Sequence, residues 1–364
     1  MPSSTSPQTQ PKQPSVLAVG VIGIGRIGRA HALNSLRQLP RVKLTCACSP
    51  AQADLDWAAD HLIPFGVNVY KTVEEMLEHE SGHLQGVIVA STTKFHAEHN
   101  RKCIEKGLHV LCEKPLAMSV EEHPELKVMT AFSRRFDPSY VNARQRIAAG
   151  EIGTPVVIRA QNGDMYDDSP FYHQYVMANP GIFIDTCVHD LDLALSFFGS
   201  DAQPQSVYAT GTIALHGELD KIQDVDCAVG VVEWRPEPAR GIPKRITYLH
   251  ANRIMRHGFD NSTDIIGTEG MLKVNLHPRR DLVQVADVQG IRNDVMPDFY
   301  ERYERAFVEE LRIWADCVLD KRELPIQLET AVKGMKIAQA LQESLRTGRK
   351  IEFNEEGDKT ESKL

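Results

Sequence analysis

The chain has 364 residues, of which 42% are hydrophobic and 25% charged, with a formal net charge of −8. That length suits about two domains, and the composition excludes wholesale disorder and fibrous classes. The negative balance argues against a nucleic-acid partner, which needs a basic surface, and no apolar run approaches the roughly 20 residues of a membrane helix.

Residues 1–15 are rich in Ser, Thr, Gln and Pro and lack the apolar run of a secretory signal, so a disordered tail is expected there. From Val16 to Cys112 short apolar runs alternate with helical patterns. Strands are predicted at 16–22, 42–48, 86–90 and 108–112, and helices at 27–38, 52–62 and 96–106. This β-α-β-α rhythm predicts a parallel sheet with helices on both faces, in a first domain over 16–135. Beyond it, a helix at 140–149 leads to strands predicted at 156–160, 206–213, 228–234, 245–250, 262–266 and 271–274. Several are joined by turn-rich stretches with no room for a helix, which predicts an antiparallel sheet. Helical patterns at 300–319 and 327–346 close this second domain, placed at 136–353.

After Phe353 the chain turns polar and charged, and a flexible tail is expected over 354–364. It stops at Ser362-Lys363-Leu364, the tripeptide read at a free carboxyl end by the peroxisomal import receptor. A peroxisomal location is therefore expected, with the cytoplasm as the alternative. Seven cysteines, an odd number with no CxxC pair, fit a reducing compartment.

The run Gly23-Ile24-Gly25-Arg26-Ile27-Gly28 carries GxGxxG between the first strand and the first helix. Gly23 permits the tight turn, Gly25 lets backbone amides approach a pyrophosphate, and Gly28 lets the helix pack closely on the strand. Placed at strand-to-helix in the first βαβ unit, the pattern predicts dinucleotide binding by this turn, including Arg26 and Ile27. The acidic residue that holds an adenosine ribose is expected at the end of the second strand, where Cys48-Ser49-Pro50 stands instead. Asp54 and Asp56 come later, on the following helix. A neutral Ser49 opens the way to a 2′-phosphate, yet no Arg or Lys follows at once to bind one; Arg26 and Arg29 are the nearby cations. NAD and NADP both remain open.

Cys112-Glu113-Lys114-Pro115-Leu116, taken with the glycine turn and Asp185-Thr186-Cys187-Val188-His189, resembles the Gfo/Idh/MocA oxidoreductases, nearest their inositol 2-dehydrogenase-like branch. Arg134-Arg135-Phe136-Asp137-Pro138 and Gly267-Thr268-Glu269-Gly270 add to the likeness, which runs from about Val16 to Phe353. The resemblance implies an α/β protein with an N-terminal Rossmann dinucleotide-binding domain and a C-terminal α/β domain built on a large, mainly antiparallel open sheet. It implies hydride transfer between a nicotinamide and a secondary hydroxyl of a cyclic polyol or sugar, and a homodimer or homotetramer formed through the open sheet.

Lys114, Asp185 and His189 also make chemical sense unaided. Residues 181–198 read as one helix with Ile184, Val188, Leu191, Leu195 and Phe198 as the buried stripe. Asp185 and His189, four apart, are neighbours on a flanking face. A carboxylate beside an imidazole orients it and favours its protonated form, which suits a base that takes a hydroxyl proton. Lys114 ends a strand, where open α/β sheets place ligands, and its ammonium stabilises a developing alkoxide.

Ser91 and Thr92, after the fourth strand, and Glu113 are expected near the cofactor. Arg135, Tyr166 and His173 are expected at the substrate, with Asp164 and Tyr172 in the same irregular stretch before the 181–198 helix. His96 and His99 lack a carboxylate or cysteine to complete a ligand set, so no metal is expected. Only about ten residues (117–126) separate Leu116 from the next apolar run, 127–132, against the 10–12 or more that a crossover with its helix needs. A shortened connection, leaving a sheet face bare near Lys114, is expected. Besides a polyol dehydrogenase, two readings stay open: a dihydrodiol-type or sugar-dehydratase relative, and a catalytically silent cofactor sensor.

Overall fold

The computed structural model describes residues 15–114, 125–178, 181–276 and 279–360. The Ser-Lys-Leu terminus, residues 1–14 and most of the 117–126 connection lie outside them. The first sheet contains β1 (Leu17–Ile22), β2 (Val42–Cys48), β3 (Asn68–Tyr70), β4 (Gly86–Val89), β5 (His109–Glu113) and β6 (Val128–Ala131). Its order is β3-β2-β1-β4-β5-β6, with every pairing parallel. Helices α1 (Arg26–Arg37), α2 (Gln52–His61), α3 (Val73–Glu80) and α4 (His96–Glu105) lie in the crossovers. β4 and β6 are buried along their whole length, as strands covered on both faces must be, which is why they read as unbroken apolar runs. The strand order reverses between β1 and β4, opening a crevice at their carboxyl ends.

The second half starts with α5 (Pro138–Ala148), whose first N–H groups are capped by Asp137. It continues through β7 (Pro155–Met165), α6 (Pro170–Ala178), α7 (Val188–Phe198), β8 (Pro204–Thr212), β9 (Cys227–Trp234), β10 (Arg245–Met255), β11 (Asp260–Gly267) and β12 (Met271–Val274). A hairpin of β13 (Gln284–Asp287) and β14 (Gly290–Asn293) precedes α8 (Phe299–Leu319), α9 (Leu328–Thr347) and β15 (Ile351–Glu352). The large sheet runs β12-β11-β7-β10-β9-β8-β15. Only β7 and β10 pair parallel within it. Alternate residues of β9 are buried, the period-two signature of a sheet covered on one face.

Several expectations are corrected. The stretch before residue 181, read as irregular, holds α6. The predicted 181–198 helix begins as a π-helical turn, Phe183–Cys187, and becomes α-helical only at Val188. The helix at 299–319, assigned to the second domain, lays Trp314 against β4: a side chain at Gly86 would meet the indole at 2.7 Å. Glycine at 86 is the sequence's answer to that ring. Residues 354–360 are folded rather than loose, because Gly357 (φ 83°) turns the chain back so that Thr360 N–H donates to Glu352 O at 2.9 Å and Lys336 pairs with Asp358 at 2.7 Å. The sheet face near Lys114 is not bare either. Cys112 (0% exposed) and Val128 (4%) are buried in a cluster with Cys103, Ile104, Leu126 and Leu328.

Candidate active site

The glycine turn is built as its spacing demands. Gly23 has φ +89°, and a Cβ there would strike the Ser91 backbone at 2.7 Å; at Gly28 it would strike Gly23 O at 1.8 Å. At Gly25 it would meet nothing within 4 Å, so this position faces open space. Gly25 is also the N-cap of α1, where no side chain satisfies the first N–H groups. A helix start with unsatisfied donors and free space before it is an anion site, and it fits the pyrophosphate of a dinucleotide.

At the end of β2, Ser49 Oγ donates to Asp54 Oδ2 at 2.7 Å, and Arg29 pairs with Asp54 Oδ1 at 2.9 Å while lying 4.9 Å over the Trp57 ring. The carboxylate missing from the strand end is therefore supplied from the first turn of α2.

A cavity of about 630 Å³ runs from this turn to the second sheet. Arg26, Ile27, Ser91, Glu113 and Lys114 line it from the first half, and Asp185, His189 and Tyr166 from the second. Thr92 is exposed, and its neighbour Thr93 lines the cavity instead. Lys114 Nζ donates to Asp185 Oδ1 at 3.0 Å and to Asp185 O at 2.9 Å. Tyr175 OH donates to the same Oδ1 at 2.7 Å, and Arg253 stands 3.7 Å from Oδ2. Burial opposes the Lys114 charge, but Asp185, Tyr175 and Glu113 outweigh it, and its pKa is raised. Burial likewise opposes ionisation of Asp185, and Lys114 and Arg253 overcome it, so this carboxyl sits below its ordinary value.

The expected Asp185–His189 pair is corrected. The carboxylate is taken by Lys114, Tyr175 and Arg253, and His189 Nδ1 is buried without a hydrogen-bond partner. A π turn carries i→i+5 bonds, so an i,i+4 alignment deduced for an α-helix does not carry across it. Burial, then the charges of Arg134 and Lys114, hold the His189 pKa well below the usual imidazole value, the reverse of the expected shift. His189 is a neutral base lying edge-on to Phe132, ring centroids 5.8 Å apart.

Arg135 is corrected as well. Its guanidinium makes a buried two-point contact with Asp192, 2.6 and 2.9 Å, away from the cavity. Arg134, one residue earlier, lines the cavity and pairs with Asp190 at 3.0 Å. His173 points off the cavity to Glu218, because α6 turns Phe171, Tyr172 and Tyr175 inward instead. His96 and His99 do not converge on an ion: His96 Nε2 meets Ser91 O at 2.8 Å, and His99 Nδ1 meets Ser91 Oγ at 2.9 Å.

Sequence reasoning missed Arg253 and Asp224. Asp224 accepts from the N–H groups of Gly181 and Ile182, both at 3.0 Å, and from Arg253 at 2.9 Å. It thus caps the start of the turn that carries Asp185 and leads into α7 with His189, and Arg253 ties the cap to the site. A lone Asp 43 residues from the N–H it caps leaves no local pattern to find.

Two family models match the chain. Residues 17–133 match the oxidoreductase family with an NAD-binding Rossmann fold, and residues 140–273 match the GFO/IDH/MocA C-terminal domain. The chain belongs to the Gfo/Idh/MocA oxidoreductase family. It is 29% identical over 334 residues to the scyllo-inositol 2-dehydrogenase (NAD(+)) of Bacillus subtilis, covering 89% of this chain and 92% of that one. It is also 29% identical over 296 residues to the myo-inositol 2-dehydrogenase of Thermotoga maritima, covering 79% and 84%. The crystal structure of scyllo-inositol dehydrogenase from Lactobacillus casei with bound NAD(H) and scyllo-inositol superimposes with a TM-score of 0.84 at 28% identity, over 93% of this chain and 99% of that one. The α/β class, the Rossmann half and the large, mainly antiparallel second sheet expected from the sequence all agree with this family.

A Gly25→Val variant tests the cradle. Its side chain enters open space, so folding stability falls only by the roughly 1 kcal/mol of a poor helix cap, while NAD affinity measured by calorimetry drops at least tenfold.

Proposed function

We propose that the protein is an NAD-dependent dehydrogenase of a cyclic polyol, with an inositol as its substrate. The observation that carries this reading is the convergence of Lys114, Asp185 and His189 on one cavity with the open glycine turn at its other end. The inositol dehydrogenases among the relatives support the substrate class. Support for NAD over NADP comes from Asp54, whose carboxylate suits a ribose diol and repels a 2′-phosphate.

In this reading NAD, which the Gly23–Gly28 turn would hold, would supply a hydride acceptor for the carbinol carbon. His189, kept neutral, accepts the hydroxyl proton as the C–H bond breaks and the carbonyl forms. Lys114 donates a hydrogen bond to the same oxygen and stabilises its growing negative charge. Asp185 keeps Lys114 charged and aimed, with Tyr175 bracing it. Asp164 and Tyr172 offer hydrogen bonds to the remaining hydroxyls from the cavity wall.

We also propose that copies of the chain associate through the outer face of the large sheet, where Tyr208 (45% exposed), Ile246 (37%) and Tyr248 (37%) stand in the open. Import into peroxisomes through Ser362-Lys363-Leu364 is proposed on the tripeptide alone.

Purified protein supplied with NAD and an inositol panel is expected to raise absorbance at the NADH band. His189→Ala should lower kcat by about a hundredfold or more with NAD affinity unchanged; NAD binding without turnover on any polyol would instead mark a sensor. Because His189 is held neutral, the acid limb of the oxidation pH profile should fall below the ordinary imidazole range, activity being lost as His189 takes a proton from solvent. Light scattering should give a multiple of the chain mass, reduced by Tyr248→Glu. A fluorescent protein fused to the amino end should collect in peroxisomes and disperse when Leu364 is deleted.

A further inference from the structure

Behind the α6 wall of the cavity, His173, His216 and Glu218 bring one candidate ligand atom each to within 4.8 Å of one another. His173 comes from α6, and the other two from the turn after β8, 43 and 45 residues away in sequence. We propose that these three side chains form a binding site for a divalent transition-metal ion of the zinc class.

One of the three separations already suits an ion. Imidazole nitrogen and carboxylate oxygen bind zinc at about 2.0–2.2 Å, which in a tetrahedron sets neighbouring ligand atoms about 3.4 Å apart. His216 Nδ1 lies 3.7 Å from Glu218 Oε1, too far for a hydrogen bond and close to that spacing. His173 Nδ1 already touches the same oxygen, so coordination replaces this contact with two ligand bonds.

The surroundings select the ligand form. His173 Nε2 lies 3.1 Å from the carbonyl oxygen of Asp168. A backbone carbonyl and a carboxylate both only accept, so each ring nitrogen faces an acceptor; an ion takes the place of the proton on Nδ1 while Asp168 O goes on holding Nε2–H, the usual outer-shell arrangement of a metal-bound histidine. His216 is 3% exposed, and its Nε2 has no hydrogen-bond partner. The ring is held by stacking on Tyr166 (5.3 Å, 20°) and by Tyr172 (5.1 Å). His216 Nδ1 stands beyond hydrogen-bond reach of Glu218, and an ion between them fills that gap. The loop is set in advance: Asp226 accepts from the N–H groups of Ala214, Leu215 and His216. With His173 and Glu218 about one-third exposed, solvent can supply a fourth ligand. Two nitrogens and one carboxylate favour zinc-class ions over calcium or magnesium.

Tyr166 and Tyr172 line the cavity on one side and pack on His216 on the other. An ion there braces α6, and with it the cavity wall, against the 214–218 turn.

The test is a titration of the chelator-treated full-length protein with Co(II) and Zn(II). One equivalent of Co(II) should bring up the visible bands of a tetrahedral site, and Zn(II) should displace it and raise the unfolding temperature. Glu218→Gln keeps the shape and the hydrogen bond to His173 but loses the charge; His173→Ala removes a ligand that is about one-third exposed. Both should bind Co(II) at least about tenfold more weakly. Uptake below one equivalent by the native protein, or uptake unchanged in both variants, would overturn the proposal. The readout involves no turnover, so it stands apart from the polyol assay.

Discussion

The contact between Lys114 and Asp185 joins the two halves of the molecule at the place where chemistry is proposed. Lys114 follows the last residue of β5, and Asp185 sits in the π turn ahead of α7. Each charge is costly alone in a half-buried site, and each is made tolerable by the other. The amine and the carboxylate meet in the wall of the cavity. His189 profits indirectly. The cations that fix Asp185 and Asp190 also repel a proton from the imidazole, so structural ion pairs set the base.

Around this contact the second half uses buried charge with little redundancy. Arg134 and Arg135 leave the first sheet side by side and take Asp190 and Asp192 of α7, while Arg253 takes Asp224. Breaking a buried pair by removing one partner typically costs 3–5 kcal/mol. These pairs therefore act as register pins, locking α7 to the domain junction. Two adjacent arginines with different partners explain why one faces the cavity and the other does not.

Much of this was legible in the sequence. GxGxxG between a strand and a helix, and runs that alternate apolar strands with 3.6-period helices, carry local information that survives folding. Lys114, Asp185 and His189 were readable as chemistry. Their mutual geometry was not, because the π turn breaks the four-residue rule on which pairing Asp185 with His189 depended. α6 escaped because Phe171, Tyr172 and Tyr175 face a cavity rather than an apolar core, which blurs the amphipathic stripe. Arg135, Arg253 and Asp224 owe their roles to contacts far along the chain, for which no spacing rule exists. The meeting of His173 with His216 and Glu218 is hidden for the same reason.

Trp314 carries a consequence for how the protein is made. The nucleotide-binding sheet is complete by residue 131, yet the indole that seals Gly86 belongs to a helix ending at Leu319. During synthesis the first sheet emerges with that flank unsealed and must wait for most of the polypeptide to follow. Nascent chains are therefore exposed to chaperones and proteases for longer than a self-contained amino-terminal module would be, and neither half is a natural fragment to express alone.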